Sequence, residues 1–182
     1  MTYYLISFFH SRNLGDLLLS DQMYCHLKDQ CKIIPLDFCD HEIVNTEEAG
    51  IEPGSFEQSS RGKTARPSML SRIKKMLIPL ASYLQNCFSD KWKAFDQFME
   101  QADGIIIGGG NMLMDSGLFP CYTLFFYKYI RIARAHNKKV FVLDIGAGPF
   151  RTHHQHSLAR KAIRMADYSS VRDPDSAALL GT

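Results

Sequence analysis

Short β-branched or aromatic runs alternate along this chain with longer segments of helical spacing, and this alternation constrains the fold more than any other feature. The runs predict five strands, at residues 3–9, 32–38, 104–107, 139–145 and 168–172. Strands that alternate with helices form a parallel sheet whose faces the helices cover. The third and fourth runs are continuously apolar, as central parallel strands are. We therefore predict the α/β class, with a doubly wound, mostly parallel sheet of about five strands.

The segments between the strands predict helices at residues 16–29, 90–101, 118–136 and 157–166, with a last helix after Asp173. The apolar stripe of the 90–101 segment predicts a buried helix face formed by Trp92, Phe95, Phe98 and Met99. Asp16 is the predicted N-cap of the first helix, because a carboxylate there accepts from a free backbone N–H. Asp173 and Pro174 together form a typical cap and first-turn pair.

Length, charge and hydropathy exclude several classes of protein. A chain of 182 residues with 46% apolar residues suits one globular domain. The formal charge of +2 is far from the balance of a dedicated nucleic-acid binder, so we expect no nucleic-acid partner. No apolar run approaches the ~18–20 residues of a transmembrane helix, and no signal peptide precedes the first strand, so we expect a cytoplasmic protein. The five cysteines form no C-x-x-C pair, and we expect them to be reduced and mostly buried.

One irregular region separates the second and third predicted strands. Residues 40–68 are rich in Glu, Gly, Ser and Pro and follow neither period, which predicts an insertion loop. Residues 61–84 then combine six basic side chains with an apolar helical face. Two interpretations are open for this segment. It is a core-packed helix with a solvated basic face, or it makes peripheral contact with the inner face of a membrane.

Glycine-bearing turns follow three of the predicted strands, where ligands bind in doubly wound sheets. They are Asn13-Leu14-Gly15-Asp16, Gly108-Gly109-Gly110-Asn111 and Gly146-Ala147-Gly148-Pro149. Glycine lets backbone N–H groups approach a ligand closely, and a following helix N-terminus favours an anion. The alternative is that these are only tight turns between a strand and a helix. Neither the G-x-G-x-x-G fingerprint nor the phosphate loop fits any of them.

Several polar side chains near these turns have two interpretations each. Asp16 caps a helix or orients a substrate hydroxyl, and Asp115 either binds a sugar or caps a turn. Arg172 holds a carboxylate or phosphate, or pairs with an acidic neighbour. For His153, His154 and His156 a mobile polar loop is favoured over a metal site, because their spacing lacks a carboxylate partner.

The order and spacing of these motifs resemble the amino-terminal half of the polysaccharide pyruvyl transferases. The motifs are the turns after Phe9 and Ile145, residues 102–110 (ADGIIIGGG) and residues 166–176 (ADYSSVRDPDS). The resemblance extends from residue 3 to residue 180 and is thinnest over residues 40–89. It implies one Rossmann-like half of a two-domain fold of the GT-B type.

The resemblance also implies a reaction. Members of this family transfer the enolpyruvyl carbon of phosphoenolpyruvate onto two hydroxyls of a sugar, forming a pyruvate ketal on a cell-surface polysaccharide or its lipid-linked precursor. The implied partners are phosphoenolpyruvate as donor and a saccharide acceptor, with no cofactor and no metal. The residues implied at the substrate cleft are Asn13, Gly15, Asp16, Gly108, Gly109, Gly110, Asn111, Gly148 and Arg172. Asp16 and Arg172 are the candidates for a catalytic role, and no residue is assigned as the general acid.

The resemblance covers the family's amino-terminal half only, and we expect this chain to lack the carboxyl-terminal half. We expect a single domain over residues 1–182, with the missing half needed for transfer, so that this chain alone is inactive. Two other interpretations stay open, a non-catalytic ligand-binding half-domain and one half of a nucleotide-sugar glycosyltransferase.

Overall fold

The computed structural model describes residues 1–11, 13–44, 90–114 and 122–182. The strands are β1 (Thr2–Ser7), β2 (Lys32–Asp37), β3 (Gly104–Leu113), β4 (Lys139–Ala147) and β5 (Tyr168–Val171). The helices are α1 (Leu14–Leu27), α2 (Lys91–Gln101), α3 (Tyr122–Ala135), α4 (His153–Arg164) and α5 (Pro174–Leu180). All five predicted strands are confirmed, and strands and helices alternate as the sequence predicts. Among the described residues, no helix combines the length and the apolar character needed to cross a membrane.

The five strands form one parallel sheet in the order β2-β1-β3-β4-β5. Thr2 lies opposite Lys32 and Ser7 opposite Asp37, so β1 and β2 end level with each other. The direction in which successive strands are added reverses between β1 and β3. At such a switch point the loops diverge and leave a crevice beyond the carboxyl ends of the strands. The topology therefore places the candidate site beside β1 and β3.

The helices cover both faces of the sheet, which confirms the predicted doubly wound class. Helix α1 packs against β2 and β3, while α2, α3 and α4 pack side by side. Right-handed crossovers place α1 on one face and these three helices on the other. The core between sheet and helices is almost wholly apolar, and its largest fully buried side chains include Tyr129, Phe38, Phe95 and Phe126. In α2, Trp92, Phe95 and Met99 are buried and Phe98 is partly buried, so its predicted face is confirmed.

Three predictions about the strand ends are wrong. Gly108, Gly109 and Gly110 are not a turn after the third strand, because β3 continues through them to Leu113. Gly109 has φ +82, which glycine adopts at no steric cost, so the backbone pairs with β4 despite its local irregularity. Helix α1 begins at Leu14 with Asn13 as its cap, so Asp16 is not the N-cap.

The third error concerns the histidines. His153, His154 and His156 lie in the first turn and a half of α4, whose cap is Thr152, and not in a mobile loop. The Thr152 side chain accepts a hydrogen bond from the Gln155 backbone N–H, which fixes the helix start four residues earlier than predicted.

The structure tests only part of the predictions on the cysteines and on the irregular region, because some of these residues lie outside the described ranges. Of the cysteines, Cys25 is exposed and Cys31 and Cys39 are half-buried, so the expectation of buried cysteines is wrong for these three. Cys25 and Cys31 are free thiols. Of the predicted insertion loop, residues 40–44 are described, and Ile43 forms an antiparallel bridge with Leu36. Its remainder, the 61–84 segment and Asp115 lie outside the described residues.

Candidate functional site

A pocket of about 240 Å³ opens at the carboxyl edge of the sheet, beside the ends of β1 and β2. It lies where the topology predicts the crevice, next to the switch point between β1 and β3. Its described lining is mainly polar and acidic and comprises Phe8, His10, Ser11, Asp16, Asp37, Cys39, Asp40, Met114 and Tyr122. The pocket therefore combines three carboxylates with an aromatic wall.

Asp37, the last residue of β2, holds two of the loops around the pocket. Its side chain is buried, and Oδ1 accepts hydrogen bonds from the backbone N–H groups of Cys39 and Asp40 at 2.8 and 2.9 Å. Its Oδ2 accepts from the His10 backbone N–H at 2.8 Å. A buried carboxylate with three N–H donors is well satisfied. Asp37 thus fixes the loop after β1 against the turn after β2.

His41 holds the turn after β2 against the core of the protein. This residue is buried, has a left-handed backbone with φ +58, and contacts the Tyr129 hydroxyl through Nδ1. Its ring centroid lies 4.2 Å from that of Trp92. Burial is the main cause that lowers the pKa of His41 from 6.5 to about 4, so the ring is neutral at pH 7. The neutral His41 and the core residue Tyr129 therefore hold the pocket wall in place.

Asp16 points its carboxylate into the pocket. Its Oδ2 accepts from Asn13 Nδ2 at 3.0 Å and lies 3.4 Å from the Ser11 hydroxyl. The same Asn13 side chain caps α1, since its Oδ1 accepts from the Gly15 backbone N–H at 3.1 Å. Of the two interpretations for Asp16, the structure therefore excludes capping and leaves a carboxylate held toward the pocket.

Close packing explains the glycines of β3 that face α1. A β-carbon on Gly110 would lie 2.9 Å from the Phe8 ring and 3.0 Å from Asp16 Oδ1. Phe8 and Asp16, which line the pocket, therefore pack so closely on β3 that a side chain at residue 110 would displace one of them.

The hydroxyls of two buried serines also link α1 to β1 and β3. Ser7 Oγ and Ser20 Oγ are 2.6 Å apart, and they lie 2.6 and 2.8 Å from the carbonyl oxygens of Gly108 and Asp16. The pair joins β1, β3 and the first turns of α1, because its partners belong to all three. Sequence reasoning missed both serines.

Asn111 connects the end of β3 to the turn after β4. Its Nδ2 donates to the Gly148 carbonyl oxygen at 3.1 Å, and the Gly148 N–H donates to the Leu113 carbonyl oxygen at 2.7 Å. The peptide bond from Gly148 to Pro149 is cis. Asn111 Oδ1 is buried and has no hydrogen-bond partner among the described residues. This oxygen is therefore an acceptor in need of a donor.

Arg172 lies at the β4–β5 side of the same edge. Its guanidinium packs on Gly146, where a β-carbon would approach it to 2.8 Å, and Nε lies 3.2 Å from Asp173 Oδ2. Asp173 caps α5 by accepting from the Ser176 N–H at 2.7 Å, and this bond, more than Arg172, lowers the pKa of Asp173. Arg172 does pair with an acidic neighbour, yet 41% of its side chain stays exposed. It can therefore still meet an anion at this edge.

Neither His156 nor His10 needs a metal ion to explain its surroundings. His156 Nε2 donates to the Leu179 carbonyl oxygen at 2.5 Å and its ring stacks on Phe150, so its role is in packing. His10, Asp37 and Asp40 each place one ligand atom within 4.8 Å of the others. Since both Asp37 oxygens already accept backbone N–H groups, hydrogen bonding accounts for this cluster, and we assign no metal to it.

The predicted site residues form two groups along one edge. Asn13, Gly15, Asp16 and the three glycines 108–110 lie around α1 and β3, and Asp16 is the member that lines the pocket. Asn111, Gly148 and Arg172 lie toward β4 and β5. The sequence analysis missed His10, Asp37, Asp40 and Tyr122 as pocket residues. The rule that ligands bind beyond the carboxyl ends of the strands would have found Asp37, because Asp37 is the last residue of β2.

Comparison with known proteins gives one match. The family model described as polysaccharide pyruvyl transferase matches residues 13–182. No curated protein and no solved structure matches the chain. The matched region begins at Asn13, the cap of α1, and includes every residue of both groups.

Proposed function

Since this chain belongs to the polysaccharide pyruvyl transferase family, we propose that it contributes to pyruvyl transfer from phosphoenolpyruvate to a saccharide. The family implies a donor substrate and a saccharide acceptor. The pocket beside β1 and β2 is proposed to receive the acceptor, and the β4–β5 side of the edge to face the donor.

The proposed reaction forms a ketal from two hydroxyls of one sugar. The first hydroxyl oxygen bonds to C2 of phosphoenolpyruvate while C3 gains a proton and becomes a methyl group. The second hydroxyl oxygen then bonds to C2 as the C2–O bond to phosphate breaks. One hydroxyl proton balances the proton on C3, and the other leaves with inorganic phosphate. The products are a pyruvate ketal and phosphate, with no change of redox state.

We assign the saccharide acceptor to the pocket mainly because the Asp16 carboxylate is held toward it. Carboxylates accept hydrogen bonds from sugar hydroxyls and orient them. Asp37 and Asp40 add negative charge to the same pocket, and its described lining has no lysine or arginine. Phosphoenolpyruvate carries a phosphate and a carboxylate, so this pocket repels it. A neutral polyhydroxylated ligand suits the pocket better, and the Tyr122 ring offers an apolar surface beside the carboxylates.

The other group of residues suits an anionic donor. Arg172 keeps an exposed guanidinium, and the N-terminus of α4 follows the Gly148 turn. Guanidinium groups and helix N-termini both stabilise phosphate and carboxylate groups. Asn111 lies between the two groups and fastens the end of β3 to the turn after β4 through its Nδ2. This arrangement supports a saccharide and phosphoenolpyruvate meeting along one edge.

Thermal stability with single ligands tests this proposal. A ligand that binds only the folded state raises the unfolding temperature. We expect saccharides with two neighbouring free hydroxyls to stabilise the protein, and the Asp16→Asn variant to lose that effect while it keeps any response to phosphoenolpyruvate. Stabilisation by nucleotide sugars, with none by saccharides or phosphoenolpyruvate, would instead favour a glycosyltransferase.

A further inference from the structure

Helices α3 and α4 carry an unusual charge distribution for neighbouring surface helices. Their sequences, YTLFFYKYIRIARA and HHQHSLARKAIR, contain no aspartate or glutamate. They contain six basic residues, which are Lys128, Arg131, Arg134, Arg160, Lys161 and Arg164. The carboxylates of the pocket lie instead on α1 (Asp16), at the end of β2 (Asp37) and in the turn after β2 (Asp40). One side of the molecule is therefore cationic while the pocket is acidic.

The cations of the two helices share one surface. The helices pack against each other, and Lys161 Nζ of α4 lies 5.3 Å above the Tyr127 ring of α3. Arg131, Lys161 and Arg164 are exposed. We call the surface formed by Lys128, Arg131, Arg160, Lys161 and Arg164 the basic face. Arg134 is excluded, because it forms an ion pair with Asp167 at 3.0 Å.

Structural needs of the fold account for part of this charge only. Cations in the last turn of a helix stabilise its dipole, which explains Lys161 and Arg164. Lys128 Nζ lies 4.3 Å from the centroid of the Trp92 ring, and this contact accounts for its position. Arg131 and Arg160 precede the last turns of their helices. No carboxylate among the described residues lies within ion-pair distance of Arg131, Arg160, Lys161 or Arg164. The concentration of cations therefore points to an anionic partner.

Two grooves accompany the cations, and the one along α3 is mainly apolar. A groove of about 270 Å³ along α3 has walls from Leu124, Phe125 and Ile132, with Lys128 and Arg131 at its rim. A second, of about 290 Å³, lies between Arg160, Lys161 and Arg164 and borders Met165. Lys and Arg side chains that lie among aliphatic and tyrosine side chains are typical of surfaces that bind lipid headgroups. Clusters of about four to eight such cations bind anionic lipids.

We propose that the basic face binds an anionic lipid surface. The proposal is independent of pyruvyl transfer, since it rests on α3 and α4 and not on the pocket. Phosphate groups of lipids would meet Arg131, Lys161 and Arg164, while the groove beside Leu124 and Ile132 accepts apolar parts of the headgroup region.

Sedimentation with vesicles tests the proposal with the full chain. We expect binding to vesicles of about three parts phosphatidylcholine to one part phosphatidylglycerol, and none to pure phosphatidylcholine. Added salt should weaken this binding, because it screens exposed charges. The variant Arg131→Glu/Lys161→Glu/Arg164→Glu should need at least about tenfold more lipid for half-maximal binding.

A matched control separates the basic face from net charge. Lys28→Glu/Lys32→Glu/Lys93→Glu changes the charge by the same amount at exposed positions on other elements, and it should bind as the wild type does. Circular dichroism of both variants reports whether they fold. Equal loss in the two variants would overturn the assignment to this face. If the wild type does not bind anionic vesicles, the proposal of a lipid partner is wrong. Binding to soluble polyglutamate without binding to vesicles would show an acidic protein partner instead.

Discussion

Asn111 Nδ2 donates a hydrogen bond to the Gly148 carbonyl oxygen at 3.1 Å, which fastens the end of β3 to the turn after β4. Because this bond fixes the orientation of the amide, Oδ1 is left buried and without a partner among the described residues. The acidic pocket lies on one side of Asn111 and Arg172 on the other. Asn111 thus joins the two groups of residues to which the acceptor and the donor are assigned.

Replacing Asn111 by Asp should destabilise the protein by about 1–3 kcal/mol. A carboxylate there cannot donate to the Gly148 carbonyl, and two acceptors would face each other in a buried position. Urea denaturation of the wild type and the variant measures the loss. The same substitution at the exposed Asn137 is the control, and it should change stability by less than about 0.5 kcal/mol. Equal effects at both positions would mean that the bond to Gly148 does not matter.

Gly110→Ala should destabilise the protein and weaken saccharide binding together. The added methyl group would lie 2.9 Å from the Phe8 ring and 3.0 Å from Asp16 Oδ1, so one of them must move, at a cost of about 1–3 kcal/mol. Gly15→Ala is the matched control, because its β-carbon would meet only Asn13 Oδ1, at an ordinary 3.4 Å. In the first turn of α1, alanine should be neutral or stabilising by up to about 1 kcal/mol. Calorimetric unfolding of both variants checks this contrast.

Asp16→Asn should raise the Kd for the saccharide by about 10–100-fold. The amide keeps the size of the side chain, yet it loses the charge that strengthens a hydrogen bond from a sugar hydroxyl, worth about 1.5–3 kcal/mol. The Kd for phosphoenolpyruvate should change little, because Asp16 is assigned to the acceptor. Asp21→Asn, an exposed position on the same helix, should leave both constants unchanged when they are measured by titration calorimetry. A larger effect on the donor than on the acceptor would contradict the assignment.

The buried His41 should make stability depend on pH. Its pKa is lowered from 6.5 to about 4 in the folded state, so between these values the unfolded chain binds a proton that the folded chain does not. Stability therefore falls as the pH drops from 6.5 to about 4, by up to about 3 kcal/mol from this group. His41→Asn removes the titration, and asparagine tolerates the left-handed backbone at this position.

Urea denaturation at several pH values measures this effect. The stability advantage of the wild type over His41→Asn should shrink as the pH falls from 7 to 4. A constant difference between the two proteins would show that His41 titrates alike in the folded and unfolded states.

The sequence predicts the sheet well because each strand is a run of β-branched or aromatic residues. Runs such as Ile105, Ile106 and Ile107 suit only a buried parallel strand, and all of them are buried in β3. The end of β3 could not be predicted in this way. Glycine at 108–110 is equally typical of a turn, and only the pairing with β4 shows that the strand continues. The start of α4 did carry a signal, since Thr152 followed by Gln155 fits the capping-box pattern.

The site is harder to predict, because its side chains meet across long stretches of chain. The position of Asp16 near a strand end follows from the order of elements, and in the structure Asp16 lines the pocket. The cap of α1 is Asn13 instead, because its side chain accepts from the Gly15 N–H and the helix begins at Leu14. The contact of His41 with Tyr129 joins residues that are 88 positions apart, and no local pattern reveals it. Whether the predicted residues bind substrate stays a prediction.

Formation of a pyruvate ketal is the measurement that tests the central claim most directly. The protein would be incubated with phosphoenolpyruvate and a panel of saccharides, alone and together with a separately produced carboxyl-terminal half of a polysaccharide pyruvyl transferase, while released phosphate and the methyl signal of the ketal are followed together by NMR. We predict neither product from the chain alone. With the added half we predict phosphate release that requires a saccharide, a ketal methyl group formed in equal amount, and a decrease of both by about 10–100-fold in Asp16→Asn. Phosphate release without a ketal, or no saccharide-dependent release with any member of the panel in the presence of the added half, would contradict the proposed function.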